Sequence, residues 1–252
     1  MAKLDVVKTA GVAVLTINNP TAMNAWTQAM QRDMVVKLGE LDSDPEVGAI
    51  VLTGAGDRAF CAGQDLKEVA QFTGADVEEW LNTFMAVYDA VLSNSKPVIA
   101  ALNGVTAGSG YQLSLLCDVR IAHPDVRIGQ PEVKSGIPSI TGMYLTWQAV
   151  GYSKTAEMML TGELLTAEQA AGLGMIAEIV PQSEVLSRSI ELAQNMAQLP
   201  KQAFALTKQR VRATLMPGLQ EAFAAALDAD KEAYGDGEPQ RTARSFVTKA
   251  GN

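Results

Sequence analysis

The 252-residue sequence contains a single histidine, His123, and only two cysteines, Cys61 and Cys117. Zinc sites built on histidine clusters and a Ser-His-Asp triad within the chain therefore have little to draw on. Both cysteines sit among apolar neighbours, where a reduced, buried pair is expected rather than a disulfide. There is no basic run, and 20 basic against 28 acidic residues leave a net charge of −8. That balance works against nucleic acid or an anionic membrane as the main partner, while leaving room for a local basic pocket around an anionic ligand. No apolar stretch approaches the roughly 20 residues that span a bilayer, and the N-terminal MAKLDVVKTAG lacks the basic-then-apolar pattern of a signal peptide. A cytoplasmic protein is expected. A Gly/Ser-rich linker, a strict repeat and a low-complexity tract are also missing, so nothing divides the chain into independent domains.

What is present suits an ordinary globule: 48% apolar and 19% charged residues, enough to bury a real core. The first half alternates β-branched runs with amphipathic stretches, as α/β folds do. Strands are expected at Leu4–Thr9, Val12–Asn18, Val47–Thr53, Pro97–Asn103, Val119–Ala122 and Val126–Ile128. Trp26, Met30, Met34, Leu38 and Leu41 fall at helical spacing, as do Val77, Trp80, Leu81, Phe84, Tyr88 and Val91 behind an Asp76 cap; both series read as core packing. From Thr141 onward the pattern is nearly all helical. Thr166 with Gln169 makes a capping box, Ser183 is positioned to cap, Pro200 suits a helix start, and Pro217-Gly218 is expected to separate two helices.

Two places share one design: a buried strand, a loop, then a small-residue turn that opens a helix. They are AIVLTGAGDRAFCAGQDLKEV and PVIAALNGVTAGSGYQLSLL. Small residues let a ligand approach the main chain, and a helix N-terminus offers unpaired N–H groups, so each turn can hold an oxygen anion. Neither has the lysine of a phosphate-binding G-x-x-x-x-G-K-[ST] loop nor the three-glycine spacing of a dinucleotide fingerprint. Gly104 to Gly108 has nucleophile-elbow spacing with threonine at its centre and Ser109 nearby, but no second base accompanies it.

The first turn, Phe60 to Glu68, resembles the F-x-A-G-x-D-[IL]-K-E segment of the crotonase superfamily, the enoyl-CoA hydratases and isomerases. The second resembles that family's K-P-x-I-A-x-[IV]-x-G-x-A-x-G-[GA]-G-x-x-L-x-x-x-[CS]-D segment. Pro20 to Ala25, Gly129-Gln130-Pro131-Glu132, Gly136-Ile137-Pro138, Leu160 to Glu163 and Ala170 to Gly174 continue the likeness over nearly the whole chain. The resemblance implies an α/β fold, a crotonase-like spiral of β-β-α units over residues 1–197. A helical segment over 198–252 would mediate assembly into a homotrimer or a hexamer of two trimers. The implied substrate is an acyl-CoA thioester, with coenzyme A entering only as part of it and neither a metal nor a separate cofactor. The backbone N–H groups of Gln64 and Ser109 would form an oxyanion hole for the thioester carbonyl. Ala22 and Ala62 match positions whose main chain meets coenzyme A, Lys67 matches a cationic neighbour of its phosphates, and Phe246 with Lys249 matches an F-x-x-K that can reach a neighbouring subunit's ligand. Thr21 stands where many members carry Lys or Arg.

The family's hydratases set two glutamates over one water. Glu132 matches the second, whereas the first is Gln112 here. An amide hydrogen-bonds but cannot accept and return a proton, so the resemblance points to one proton-transfer residue, Glu132, and leans towards double-bond isomerisation. Hydration by an altered water arrangement, thioester hydrolysis, C–C cleavage and a silent CoA-ester-binding homologue are the alternatives. Asp65 reads as a turn residue, and Asp118 and Glu163 as structural acids. Ser139 and Tyr144, with Ile137 and Ile140, are expected to shape the acyl pocket, where SGIPSITGMY departs from the family's G-x-x-P-x-x-G-G-T.

Overall fold

The structure is a computed structural model, and it describes residues 2–250. The chain opens with an antiparallel hairpin, β1 (Lys3–Thr9) and β2 (Val12–Asn18). Its two-residue turn puts both Ala10 (φ 48°) and Gly11 (φ 79°) in the left-handed region, as a hairpin matched to strand twist requires. Helix α1 (Gln28–Ser43) follows, capped by the Thr27 hydroxyl, which accepts the Met30 N–H at 3.2 Å.

Three units then repeat one path. The first is β3 (Ala49–Gly54), β4 (Ala59–Cys61), the short α2 (Leu66–Val69) and α3 (Val77–Ser93). The second is β5 (Val98–Leu102), β6 (Val105–Ala107) and α4 (Ser109–Leu116), and the third is β7 (Val119–Ala122), β8 (Arg127–Gly129), a 3-10 turn at Glu132–Ser135 and α5 (Ile140–Val150). Each unit places one strand in each of two sheets, so the chain advances as a spiral. After α6 (Tyr152–Thr161), β9 (Leu165–Thr166) and α7 (Ala167–Gly172) comes β10 (Glu178–Ile179), and the sheets read β1-β2-β3-β5-β7-β10 and β4-β6-β8-β9. The α/β spiral of β-β-α units expected from the sequence is the fold observed.

β3 and β5 are buried along their whole length, as central parallel strands covered on both faces must be. One face, with Val12, Val14, Val51 and Ile99, packs under α8 (Val185–Ala197) through Val185 and Ala193. The other, with Leu15, Ile17, Ile50 and Leu52, joins the main core of Trp26, Met34, Phe84 and Tyr88. The expected division at residue 198 falls in the connection between α8 and α9 (Lys201–Asp236). The long α9 packs against α3 and α5, and α10 (Glu238–Ala250) lies on α2. No helix among the described residues is long and apolar enough to cross a membrane.

Several local expectations change. β4, β6, β9 and β10 have two or three residues each, too few for a periodic pattern to register. Pro217 does not end a helix: it sits inside α9, which runs 36 residues unbroken. Pro217 is exposed, and so is Ala213, whose carbonyl loses its helical donor, so water can take that bond. Gly218 is there for contact, since a Cβ would lie 2.6 Å from the Tyr144 ring. Asp76 precedes α3 but turns its carboxylate back to the N–H and hydroxyl of Thr73. Ser183 lies within a 3-10 turn, and Glu184 takes the position before α8. The Thr166–Gln169 capping box forms as expected.

Candidate functional site

Three loops converge at the C-terminal ends of the parallel strands β4, β6 and β8, the end at which α/β sheets place ligands. Gly63 (φ 102°) and Gly108 (φ 59°) adopt conformations that side chains rarely allow. They also touch: a Cβ on Gly63 would lie 3.4 Å from the Ser109 nitrogen. A Cβ on Gly110 would lie 2.3 Å from the Cys61 carbonyl oxygen, and one on Gly108 only 2.9 Å from Glu132 Oε1. The glycines of the two turns are thus what lets three strand ends and one carboxylate share a small space.

Trp26 orients the donors. In a parallel bridge its N–H donates to the Gly63 carbonyl and its own carbonyl accepts the Asp65 N–H, both at 3.0 Å. The bridge leaves the Gln64 N–H between them on the opposite side of the backbone. The Gln64 side chain is tied elsewhere, its Oε1 accepting from Gln31 and its Nε2 donating to Glu68, each at 2.6 Å. Ser109 begins α4, so its N–H has no intrahelical acceptor. Its hydroxyl accepts the Trp26 indole N–H at 2.8 Å in a buried bond. Among the described residues neither main-chain N–H has a hydrogen-bond acceptor.

Glu132 opens the 3-10 turn after β8. Its Oε2 is buried without a hydrogen-bond partner among the described residues. Burial pushes its pKa up to about 8, and the nearby Asp230 carboxylate adds to the shift. Gln112, on the first turns of α4, is held by two hydroxyls, Tyr88 Oη and Thr141 Oγ1, each donating to its Oε1 at 2.9 Å. Those bonds leave its amide NH2 as a donor. Gln64, Ser109, Gln112 and Glu132 all line one cavity of about 100 Å³, walled on its apolar side by Trp80, Leu81 and Phe84.

The other expected residues are placed as follows. Ala62 lines the cavity mouth, and its N–H donates to the Met23 carbonyl at 3.1 Å, setting the Ala22 turn beside it. Lys67 is exposed on α2. Phe246 is 47% exposed on α10, which packs on α2 of its own chain, and the Lys249 side chain lies outside the described residues. Ile137 and Ser139 line the cavity, but Ile140 and Tyr144 do not; Tyr144 is drawn away by its hydrogen bond to the Leu215 carbonyl at 2.9 Å. Asp65 caps α2 by accepting the Lys67 N–H at 2.7 Å. Asp118 accepts the Val98 N–H and pairs with the buried Lys208 at 2.8 Å, and Glu163 pairs with Lys134 at the surface. None of these three acids faces the cavity. Cys61 and Cys117 are buried free thiols, each pushed up to about 12 by burial.

The cavity also contains residues that the sequence did not single out. Thr141 and Tyr88 hold the Gln112 amide, although Tyr88 reads only as core by its spacing. Asp230, from the C-terminal part of α9, is 3% exposed and lines the same cavity. Its signal was present as a lone acid on the apolar stripe Leu219, Phe223, Ala226, Asp230 and Tyr234, a position at which burial normally excludes charge.

Comparison with known proteins gives the family. A profile of the enoyl-CoA hydratase/isomerase family matches residues 7–250. A probable mitochondrial enoyl-CoA hydratase of Dictyostelium discoideum is 32% identical over 96% of this chain and 87% of its own length. A short-chain-enoyl-CoA hydratase of Clostridium acetobutylicum is 31% identical over 96% and 93%. A crystal structure of an enoyl-CoA hydratase/isomerase from Xanthobacter autotrophicus Py2 superposes with a TM-score of 0.84 at 28% identity, covering 98% of this chain and 93% of that one. With that agreement of motif order, fold and whole-chain similarity, the chain belongs to the enoyl-CoA hydratase/isomerase family of acyl-CoA enzymes.

Proposed function

We propose that this enzyme moves a double bond in an enoyl-CoA thioester. The Gln64 and Ser109 N–H groups would hold the thioester oxygen, and Glu132 would be the proton-transfer residue. The observation that carries this reading is the Glu132 carboxyl set against Gly108, in one cavity with two N–H donors that have no acceptor among the described residues and with an amide rather than an acid at 112. Glu132 removes a proton from C2 of a 3-enoyl thioester, and the electron pair delocalises onto the carbonyl oxygen as a dienolate. The carboxylic acid so formed returns the proton at C4, which leaves the double bond between C2 and C3. Two N–H donors aimed at that oxygen stabilise the dienolate, each by about 2.7–4 kcal/mol. A carboxyl shifted towards 8 is a better match for taking and returning a carbon-bound proton than one near 4.5.

Incubation with 3-enoyl-, 2-enoyl-, 3-hydroxyacyl- and acyl-CoA esters in D2O, read by mass spectrometry, tests the reaction class. A moved double bond with deuterium at C2 and C4 is expected; free CoA or 3-hydroxyacyl-CoA as the main product would refute it. The rate should rise with pH as Glu132 ionises near 8, and a profile flat from pH 6 to 9 would remove Glu132 as the base. Hydration is the second reading, favoured by the relatives named as hydratases. Gln112→Glu separates the two. The new carboxylate would accept from the Tyr88 and Thr141 hydroxyls already in place, next to Glu132. The variant should form measurably more 3-hydroxyacyl-CoA from crotonyl-CoA than the wild type, in part only, because two close carboxyls must share a proton. Rapid hydration by the wild type would overturn the isomerase reading. The proposal extends to a homotrimer or a dimer of trimers, which light scattering would measure.

A further inference from the structure

The cavity that would take the acyl chain is lined by a second carboxyl group, Asp230, that no part of the proton shuttle uses. Helices α3 and α9 run antiparallel along its apolar side. Phe223 packs edge-on against Tyr88 with ring centroids 5.7 Å apart, and Tyr234 packs against Trp80 at 5.6 Å. Asp230 lies between those two contacts on the same stripe of α9, 3% exposed and facing the cavity. Its Oδ1 has no hydrogen-bond partner among the described residues. The adjacent Lys231 turns outward to Glu78 at 3.2 Å. Burying a carboxyl without a partner costs far more than burying the leucine that this packing would otherwise accept. Ser139 Oγ and both amide atoms of Gln130, on the same lining, are also without partners among the described residues. Buried polar atoms concentrated on one cavity point to a ligand that bonds to them.

We infer that Asp230 is a specificity-determining residue that binds a hydroxyl group on the acyl chain, so that the preferred thioester is short and hydroxylated rather than purely hydrocarbon. This rests on the acyl-CoA reading of the cavity. Burial raises the Asp230 pKa to about 7, so near neutrality the group is divided between acid and carboxylate. A hydroxyl suits both forms, donating to the carboxylate or accepting from the acid, whereas an ammonium suits only one. The walls of Trp80, Leu81 and Phe84 accept the carbon chain. At about 100 Å³ the space suits a short chain.

The test is calorimetric binding of pentanoyl-CoA, 5-hydroxypentanoyl-CoA and 5-aminopentanoyl-CoA to the whole protein, the Asp230→Asn variant and the Asp230→Leu variant. The wild type should bind the hydroxy ester at least about 10-fold more tightly than the plain one, the scale of a satisfied buried hydrogen bond. Asp230→Leu should reverse that preference, and Asp230→Asn should keep part of it. Thermal melting accompanies each variant, and the asparagine variant carries the test if the leucine one fails to fold. Equal binding of the hydroxy and plain esters by the wild type, a preference for the amino ester, or an equal loss for all esters in both variants would each overturn the assignment. These readouts need no turnover: a protein with the expected preference but no proton exchange keeps this inference and refutes the isomerase reading.

Discussion

Glu132→Gln is expected to bind CoA esters about as the wild type does and to lose proton exchange at C2 by roughly 10²–10⁴-fold, the usual worth of a positioned acid/base. The amide preserves the shape against Gly108 but cannot take a proton. The readout is deuterium incorporation by mass spectrometry beside calorimetric binding. Retained exchange would move the role to Asp230, since Asp65, Asp118 and Glu163 are tied up elsewhere. The same substitution should alter stability. Glu132 has a folded-state pKa of about 8 against an ordinary 4.5, so between those values the folded protein holds a proton that the unfolded chain has released. Stability from this group therefore falls as pH rises from about 4.5 to 8. Asp230, raised from 3.8 to about 7, acts in the same direction. Glu132→Gln should make the melting temperature fall less between pH 5 and 8, and an unchanged slope would show that the carboxyl is not buried as described.

Ser109→Pro is expected to fold and to lose turnover by about 10²–10³-fold, while Ser109→Ala keeps most of it. Proline is tolerated at the first position of a helix, where the N–H has no helical acceptor, and Ser109 holds that position in α4. The proline variant thus removes one donor with little change in helix content. Alanine retains the donor and loses only the hydroxyl. Because that hydroxyl accepts the Trp26 indole N–H, the alanine variant leaves a buried donor unpaired and should be less stable by about 1–3 kcal/mol. Proline lacks that hydroxyl as well, so both variants should be less stable while only the proline variant loses turnover, by thermal melting and turnover assay. An inactive Ser109→Ala that still folds and binds CoA ester would point to a nucleophilic serine instead.

Much of this site was legible in sequence because its parts are local. Gly63 with Gln64 and Gly108 with Ser109 are adjacent pairs, and the conformations they need are ones for which glycine is selected. Glu132 could be read only because the surrounding Gln-Pro-Glu segment resembles a family motif; a single acid after a three-residue strand has no signature of its own. The long strands and α3 announced themselves through periodicity, while β4 and β6, which carry the two turns, were too short to do so. The expected break at Pro217 failed for a related reason: whether a proline ends a helix depends on whether the orphaned carbonyl faces water, and Ala213 does.

The sequence by itself determined the α/β class, the two glycine turns, the amide at position 112 and the family. Each of these is a property of neighbouring residues or of their order. Only the tertiary structure decided what surrounds them. Gln112 and Thr141 are 29 positions apart, and Trp26 and Ser109 are 83 apart, yet each pair shares a hydrogen bond. Asp230 shares a cavity with Glu132 because α9 packs antiparallel along α3. Such contacts arise from the packing of whole elements, and their energy depends on burial, which a residue acquires only when the chain has folded.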